Sequence, residues 1–285
     1  MTPTEQRQRL RAILAGTKCL TPASVYDALS ARVAQSVGYE LGMLAGSVSA
    51  NTVLAAPDLI VITLTEFADQ VRRIQRYTSL SLMTDADHGY GNALNVMRTV
   101  EELEHAGVSG MSIEDTVLPT PFGATKESLI SLEEGVGKMK AAVAARRDPS
   151  VVIAGRSSAL KVEGLDGAIA RFKAYEAAGV DAIFVIGLEK LEQLEAIRAA
   201  TKGPIIVGTA PAGITRDQLA ATGARILLQG HAPVAAAAKA LHDIYTHLYA
   251  GGSPADLKGK IASNEEMEKF TNGAQYKQWQ KDFLR

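Results

Sequence analysis

The sequence predicts an α/β chain folded as a (β/α)8 barrel of the TIM type, because eight short strand-like runs alternate with stretches of helical periodicity. Strands that alternate with helices indicate parallel βαβ units, and eight such units fit a barrel of about 250 residues. A second observation is a repeated helix stop, since a glycine ends the helix shortly before each even-numbered strand. These glycines are Gly38, Gly107, Gly179 and Gly223.

An open doubly wound sheet is the alternative fold for the same alternation. In the nucleotide-binding version of that sheet, a Gly-x-Gly-x-x-Gly turn follows the first strand. No such turn follows the first predicted strand here, and no phosphate-loop motif occurs elsewhere in the sequence. The missing motifs weaken the open-sheet alternative and favour the barrel.

The predicted strands are short apolar runs that end in polar or turn-forming residues. In chain order they cover 17–23, 39–45, 80–84, 110–113, 151–155, 182–186, 204–207 and 225–228. Apolar residues at i, i+3 and i+4 steps predict the helices between them. These helices cover 4–14, 27–37, 64–76, 93–105, 133–146, 166–178, 188–200 and 215–221.

The C-terminal part of the chain continues the helical pattern beyond the last strand. One helix carries an apolar face formed by Val234, Ala238, Leu241, Tyr245 and Leu248. The sequence becomes more polar from about residue 253. We therefore predict one (β/α)8 domain over residues 1–285, with a C-terminal helical extension that begins at about residue 253.

Composition excludes several classes of partner. The 285 residues are 47% hydrophobic and 21% charged, with a formal net charge of -1, so nothing favours binding to nucleic acid or to an anionic membrane. The single cysteine, Cys19, excludes an internal disulfide. No apolar run reaches membrane-spanning length, and the polar N-terminus does not resemble a signal peptide. We expect a cytoplasmic protein that binds neither nucleic acid nor membrane.

The stretch SLMTDADHGYGN, residues 81–92, is the strongest candidate for a functional site. Alternation along a strand places Asp85 and Asp87 on the same face. Two carboxylates held together repel each other unless a cation or a shared proton intervenes, and oxygen ligands suit Mg²⁺. The alternative is a polar turn in which one of the two acids caps the following helix.

Polar residues also follow the other strands, and in a barrel the carboxyl ends of the strands form the active site. The residues at these ends are Tyr26 and Asp27, Gly46 and Ser47, Asp85 and Asp87, Glu114 and Asp115, Arg156, and His231. The acids can hold one divalent cation, directly or through its waters. Arg156 can bind a substrate carboxylate through two parallel hydrogen bonds, and the N–H groups of Gly46 and Ser47 can face a developing oxyanion.

Each of these assignments has a structural alternative. Arg156 can pair with an acid of the barrel instead of a substrate. Ser47 can be an ordinary turn residue. His231 lies between Gly230 and Pro233, where a residue at the start of a helix is also expected.

Several motifs together resemble the isocitrate lyase/phosphoenolpyruvate mutase superfamily and, within it, the bacterial oxaloacetate decarboxylases. The resemblance covers nearly the whole chain. It rests on LSARVAQSVGYE, the Gly46-Ser47 turn, LAAPD ending at Asp58, DADHGYGNALNVMRTVEELEHAGV, SIEDTVLP, AGRSSAL around Arg156, and QGHAPVAAAAKA at His231. The DADHGYGN and IED blocks are the most specific of these motifs.

The resemblance implies a small keto-acid substrate and a Mg²⁺ cofactor, for which Mn²⁺ is a possible substitute. It implies that Asp85 coordinates the metal and that Asp58, Asp87 and Glu114 lie around it, largely through water. Substrate-binding and catalytic roles fall on Ser47, Arg156 and His231, with Gly46 beside them. The resemblance also implies a homotetramer, a dimer of dimers, in which C-terminal helices are exchanged between subunits.

The activity implied by the resemblance is decarboxylation of oxaloacetate, or a close β-keto acid, to pyruvate and CO₂ through a metal-stabilised enolate. His231 would contact the departing carboxylate or help to protonate the enolate. Two alternatives remain: a carbon–carbon lyase or hydrolase acting on a substituted malate or on oxaloacetate, and a barrel that binds a metabolite without catalysis.

Two departures from the superfamily patterns affect the choice of substrate. The lyases carry a cysteine in the loop after the IED block, whereas this loop reads PTPFGATKES, so cleavage of isocitrate or methylisocitrate is not expected. The decarboxylases carry a tyrosine just after the seventh strand, where this chain has Gly208 and Thr209. The identity of the keto acid is therefore left open by the sequence.

Overall fold

In a computed structural model that describes all 285 residues, eight parallel strands form the centre of the molecule. Each strand pairs with the next one in the sequence, so the strand order in the sheet is β1 to β8. The strands are β1 (Ala23–Ser24), β2 (Leu41–Leu44), β3 (Ser81–Asp85), β4 (Gly110–Glu114), β5 (Val152–Ser157), β6 (Ala182–Val185), β7 (Ile205–Val207) and β8 (Ala224–Leu227).

The first and last strands meet through Leu20, which lies just before β1. Leu20 forms a parallel bridge with Ile226 of β8. Its N–H donates to Arg225 O at 2.9 Å, and its carbonyl accepts from Leu227 N–H at 2.9 Å. These bonds join the two edges of the sheet, and the predicted (β/α)8 barrel is confirmed.

The predicted extent of the first strand, 17–23, is wrong. Only Ala23 and Ser24 form a continuous ladder with β2, and Leu20 alone reaches β8. Pro22 separates these two contacts, and proline has no N–H to donate to a neighbouring strand. The first strand is therefore short and interrupted.

Helices surround the sheet and follow the strands in alternation. They are α1 (Pro3–Ala15), α2 (Ala28–Val37), α3 (Gly46–Ser49), α4 (Leu64–Gln75), α5 (Ala93–Ala106), α6 (Leu132–Ala145), α7 (Ala159–Val162), α8 (Gly164–Ala177), α9 (Leu191–Ala200), α10 (Arg216–Ala221), α11 (Ala232–Tyr249), α12 (Asn264–Phe270) and α13 (Gly273–Phe283). A π-helical turn over Ala50–Leu54 continues α3, and a 3₁₀ turn covers Pro254–Leu257.

The glycine pattern predicted from the sequence is present at the ends of the helices. Gly107 ends α5 with φ 101°, and its N–H donates to the carbonyl of Glu104 at 3.0 Å. Gly38, Gly179 and Gly223 have positive φ as well. Only glycine adopts this backbone conformation without a steric cost, so these residues stop each helix and turn the chain towards the next strand.

The short helices α3 and α7 were not predicted. Both directly follow a strand at its carboxyl end, and each has only four residues. A helical pattern needs more residues than this to show a period. These two helices matter because they place Ser47 and Ser158 at the mouth of the barrel.

Helix α1 closes the opposite end of the barrel. Its Leu10 and Leu14 pack in the same apolar cluster as the inward-facing residues Met83, Val152 and Phe184 of the strands. All of these side chains are buried. The amino end of the barrel is thus filled with apolar side chains, and only the carboxyl end is open.

The C-terminal helices contact the barrel far less than the other helices do. No residue of α11, α12 or α13 is buried, although α11 carries several large apolar side chains. Leu241 is 50% exposed and Tyr245 is 64% exposed. None of the helices combines the length and the apolar character that crossing a membrane would require.

Candidate active site

The carboxyl ends of the strands surround a cavity of about 510 Å³. Asp85 and Glu114 are the last residues of β3 and β4, and Arg156 is the penultimate residue of β5. All three line the cavity, together with Ser47, Asp58 and Asp87. The structure therefore brings together all the predicted metal ligands and two of the four predicted substrate-binding residues.

Asp87 reaches the cavity because the loop after β3 has an unusual backbone. Asp87 has φ 48°, in the left-handed region that few residues other than glycine adopt. Its carboxylate is 5% exposed and lies against Gly46. A Cβ atom on Gly46 would lie 2.8 Å from Asp87 Oδ1, so glycine is needed for this approach. Gly46 therefore makes room for an acid and does not itself line the cavity.

Arg156 lies between the acids. Its guanidinium donates to Asp85 Oδ2 and lies 3.6 Å from Glu114 Oε2. The ring of Phe184 lies under the guanidinium, 5.5 Å from ring centroid to Cζ. The pairing that the sequence left as an alternative is thus present in the structure. The predicted binding of a substrate carboxylate stays a prediction.

Two hydroxyl groups hold the acids in position. Ser112 donates to Asp85 Oδ1 at 3.2 Å, and Thr116 donates to Glu114 Oε2 at 2.7 Å. Neither residue was selected from the sequence. Thr116 follows the IED block directly, and Ser112 lies two residues before Glu114 on the same face of β4, which is the only signal that could have identified it.

Burial and mutual repulsion disfavour ionisation of the acids. Burial raises the pKa of Asp87 well above its ordinary value, and the charges of Asp85 and Glu114 raise it further. Burial followed by the charge of Asp85 raises the pKa of Asp58. Burial also raises the pKa of Glu114, although Arg156 opposes that shift. A single guanidinium does not neutralise the whole set of carboxylates.

His231 lies at the start of α11, at the edge of the site. Its Nδ1 is hydrogen-bonded to Ser24 Oγ at 2.9 Å. Burial lowers the pKa of His231, and the nearby carboxylates of Asp85 and Asp58 oppose that shift. The sequence left open whether His231 lies at the start of a helix or near the acids of the site. In the structure it does both.

A segment between β4 and α6 covers one side of the cavity. Val117 N–H donates to Ser128 O at 2.9 Å, so the segment folds back on itself. Glu127 forms an ion pair with Lys161 of α7 at 2.7 Å. Beneath it, the buried Asp115 accepts from Tyr175 at 2.6 Å. Asp115 thus supports the structure behind the site.

The donor set fits a hard divalent cation. The side chains of Asp85, Asp87, Glu114 and Asp58 supply only carboxylate oxygens, and Mg²⁺ prefers oxygen. Oδ2 of Asp87 is buried and has no hydrogen-bond partner, so it is free to accept a cation or a water bound to one. No group of three His, Cys, Asp or Glu side chains is arranged to hold a metal ion by itself. This arrangement fits Mg²⁺, which retains several waters.

Comparison with known proteins defines the class to which this fold and site correspond. The sequence model of the phosphoenolpyruvate phosphomutase family matches residues 10–249, and the chain belongs to this family. The superfamily inferred from the sequence motifs is therefore confirmed.

Particular relatives are similar over the full length of the chain. An oxaloacetate decarboxylase of Bradyrhizobium diazoefficiens is 52% identical over 273 residues, which are 95% of this chain and 94% of that protein. An oxaloacetate decarboxylase of Rhodopseudomonas palustris is 52% identical over 285 residues, which are 100% of this chain and 99% of that protein.

Solved structures of the superfamily share the fold. A phosphonopyruvate hydrolase in complex with oxalate and Mg²⁺ is 27% identical, with a TM-score of 0.87 and complete coverage of both chains. An oxaloacetate acetylhydrolase in complex with 3,3-difluorooxalacetate is 27% identical, with a TM-score of 0.86 over 99% of this chain and 98% of that chain.

Proposed function

We propose that the protein is a Mg²⁺-dependent lyase that decarboxylates oxaloacetate to pyruvate and CO₂. The observation that carries the proposal is the convergence of Asp85, Asp87 and Glu114 on one cavity that also contains Arg156. The relatives named oxaloacetate decarboxylase, at 52% identity over the full length, support the same reaction.

The acids are proposed to hold the cofactor. Asp85 would bind Mg²⁺ directly, and Asp87, Glu114 and Asp58 would hold its waters. When bound, Mg²⁺ supplies a Lewis acid for the negative charge that develops on the keto oxygen as CO₂ leaves. The cation would also offset the burial and the mutual repulsion that raise the pKa of these acids.

Arg156 and Ser47 are proposed to position the substrate. The guanidinium of Arg156 already faces carboxylates, so a substrate carboxylate can take the place of one of them as a partner. Ser47 is the second residue of α3 and lines the cavity, where its N–H can donate to the keto oxygen.

His231 is proposed to act at the other end of the substrate. Burial lowers the pKa of His231 and so favours the neutral imidazole. A neutral imidazole can donate a hydrogen bond to the departing carboxylate. After the carboxylate has left, it can orient a water that protonates the carbon.

Cleavage of a carbon–carbon bond by water is the second candidate, because a structural neighbour is an oxaloacetate acetylhydrolase. The segment over the site has no cysteine, and the single cysteine, Cys19, is buried in the apolar core away from the cavity. Decarboxylation needs neither a nucleophile from the chain nor an activated water, and therefore fits these residues better.

A steady-state assay tests the proposed function. The purified protein is freed of metal with a chelator, and pyruvate formation is measured with and without added Mg²⁺ across a panel of keto and hydroxy acids. The proposal expects turnover of oxaloacetate that depends on the added metal. Full activity after exhaustive chelation would exclude the metal-dependent reaction.

We also propose that the chain assembles as a homotetramer, a dimer of dimers, by exchange of the helices that follow residue 253. An apolar groove of about 1240 Å³ runs along α11 and is lined by Val234, Leu241, Ile244 and Ile261 among others. A contiguous apolar surface of this kind is typical of a protein interface. Sedimentation that gives the mass of one chain would exclude the assembly. The cytoplasmic location stays a prediction.

A further inference from the structure

Three consecutive carbonyl groups in the loop after β3 each accept a hydrogen bond from a different part of the chain. The carbonyl of Asp87 accepts from the N–H of Glu114 in β4 at 2.8 Å. The carbonyl of His88 accepts from Nζ of Lys138 in α6 at 3.0 Å. The carbonyl of Gly89 accepts from Oγ1 of Thr99 in α5 at 3.0 Å. The loop is thus held from three sides.

The backbone of this loop needs such support. Asp87 has φ 48° and Tyr90 has φ 59°, and the glycines at 89 and 91 have φ 77° and 148°. A left-handed backbone conformation is strained in a residue other than glycine. The loop keeps this conformation only where its surroundings determine it, and the conformation directs the carboxylate of Asp87 into the cavity.

Lys138 is unusual among the three donors. It is 3% exposed, and it lies on the buried face of α6 with Gly135, Met139 and Ala142. A buried ammonium group is costly unless it is paired, yet no carboxylate forms an ion pair with it. Its hydrogen bond to His88 O is the contact that the structure provides for this charge.

We propose that Lys138 is a positioning residue for the metal site. By binding the carbonyl next to Asp87, it fixes the loop in the conformation that presents the Asp87 carboxylate to the cation. This inference depends on the proposed function, because it assumes that the acids bind a divalent cation. The sequence did not indicate Lys138, which is separated from His88 by 50 residues.

If Lys138 positions the loop, its replacement should weaken cation binding. If Lys138 contributes only a positive charge, its replacement should strengthen cation binding. Glu134, Glu114 and Asp115 are close enough to Lys138 to act on its charge. A positive charge near the site repels a divalent cation, so removal of a charge with no other role would tighten cation binding. Loss of a residue that positions a ligand weakens metal binding by roughly 10- to 100-fold.

The test is the affinity of the metal-free enzyme for Mn²⁺, measured from the free Mn²⁺ signal in electron paramagnetic resonance. Lys138→Met has an unbranched apolar side chain and removes the donor, and Lys138→Gln removes the charge and shortens the side chain by one bond. We expect the Kd for Mn²⁺ to rise by about tenfold or more in both variants.

Arg7→Met is the matched control. Arg7 is 6% exposed and donates from Nε to the carbonyl of Val108 at 3.0 Å, at the amino end of β4. Unlike Lys138, it also forms an ion pair, with Asp148 at 2.6 Å. It is a buried basic residue that binds backbone and lies remote from the site. We expect its replacement to lower the melting temperature and to leave the Kd for Mn²⁺ unchanged within about twofold.

The possible outcomes separate this inference from the proposed function. If the wild-type protein binds Mn²⁺ and decarboxylates oxaloacetate while the Lys138 variants bind Mn²⁺ equally well or more tightly, the positioning role is refuted and the function stands. If the wild-type protein binds no Mn²⁺, the metal-dependent function and this inference both fail.

Discussion

Gly46 lies against the carboxylate of Asp87, so closely that a Cβ atom on Gly46 would be 2.8 Å from Oδ1 and 2.9 Å from Cγ. The glycine follows β2 and the acid follows β3, so the contact joins two neighbouring strands at their carboxyl ends. Gly46 contributes by having no side chain, because any side chain there would displace a candidate metal ligand.

Replacement of Gly46 by alanine should therefore damage the site without damaging the fold. A displacement of about 1 Å in a catalytic group can cost about 100-fold in rate, and we expect a loss of this order in kcat/KM for Gly46→Ala. Gly137→Ala is the control, because a Cβ atom at Gly137 meets no atom within 4 Å. Equal kcat/KM in the two variants would show that the reaction does not depend on the position of the Asp87 carboxylate.

Replacement of Arg156 by lysine keeps the positive charge but removes the planar pair of donors. A hydrogen bond to a charged group contributes about 1.5–3 kcal/mol, so kcat/KM should fall by about tenfold or more. Lys161→Arg, at an exposed ion pair of the mouth, should change kcat/KM little. Wild-type kinetics in Arg156→Lys would mean that Arg156 only balances the negative charges of Asp85 and Glu114.

Replacement of His231 by alanine should lower the rate of decarboxylation more than it weakens the binding of oxalate. Oxalate resembles the planar part of the substrate that faces the metal and lacks the departing carboxylate. The measurement is kcat/KM for oxaloacetate beside the inhibition constant of oxalate. Ser24→Ala, which removes only the partner of Nδ1, should show a smaller effect of the same kind. Equal losses in rate and in oxalate binding would show instead that His231 maintains the shape of the site and does not act on the departing carboxylate.

Replacement of Asp87 by asparagine should stabilise the metal-free protein increasingly as the pH rises. Burial, followed by the charges of Asp85 and Glu114, raises the pKa of Asp87 well above its ordinary value. A carboxyl group with a raised pKa in the folded state favours folding at low pH, and this contribution is lost as the pH rises through that pKa. Melting temperatures of both proteins in chelator, from acidic to mildly alkaline pH, measure the difference.

Asp148→Asn should behave in the opposite way and is the control. Burial opposes ionisation of Asp148, but hydrogen bonds from Ser150 and Arg7 outweigh it and lower its pKa below its usual range. Such a carboxylate stabilises the protein above its unfolded-state pKa, and the effect is lost as the pH falls. Asp148→Asn should therefore destabilise the protein at neutral pH. A loss of stability in Asp87→Asn at alkaline pH without metal would contradict the raised pKa.

The position of the acids could be predicted from the sequence because it depends on local information. Asp85 and Glu114 end strands whose apolar runs are visible in the sequence, and parallel strands in a barrel end at the same face. The shared face of Asp85 and Asp87 was a reasonable expectation, but Asp87 follows the strand and reaches the cavity through a left-handed backbone. The alternation argument therefore gave the right location for a different structural reason.

The contacts that tune the site could not be predicted, because they join distant parts of the chain. Arg156 and Asp85 are 71 residues apart, and Lys138 and His88 are 50 residues apart. No periodicity encodes such pairs. The interrupted first strand was also missed, since a run of apolar residues does not show which N–H groups find a partner.

The central claim, metal-dependent decarboxylation of oxaloacetate, is tested most directly by identifying the products. Oxaloacetate labelled with ¹³C is incubated with the metal-free protein, with and without added Mg²⁺, and followed by NMR against the spontaneous reaction without protein. The account predicts that pyruvate and CO₂, seen as bicarbonate, form faster than in the blank only when both protein and Mg²⁺ are present. Formation of oxalate and acetate, or no acceleration over the blank, would contradict it.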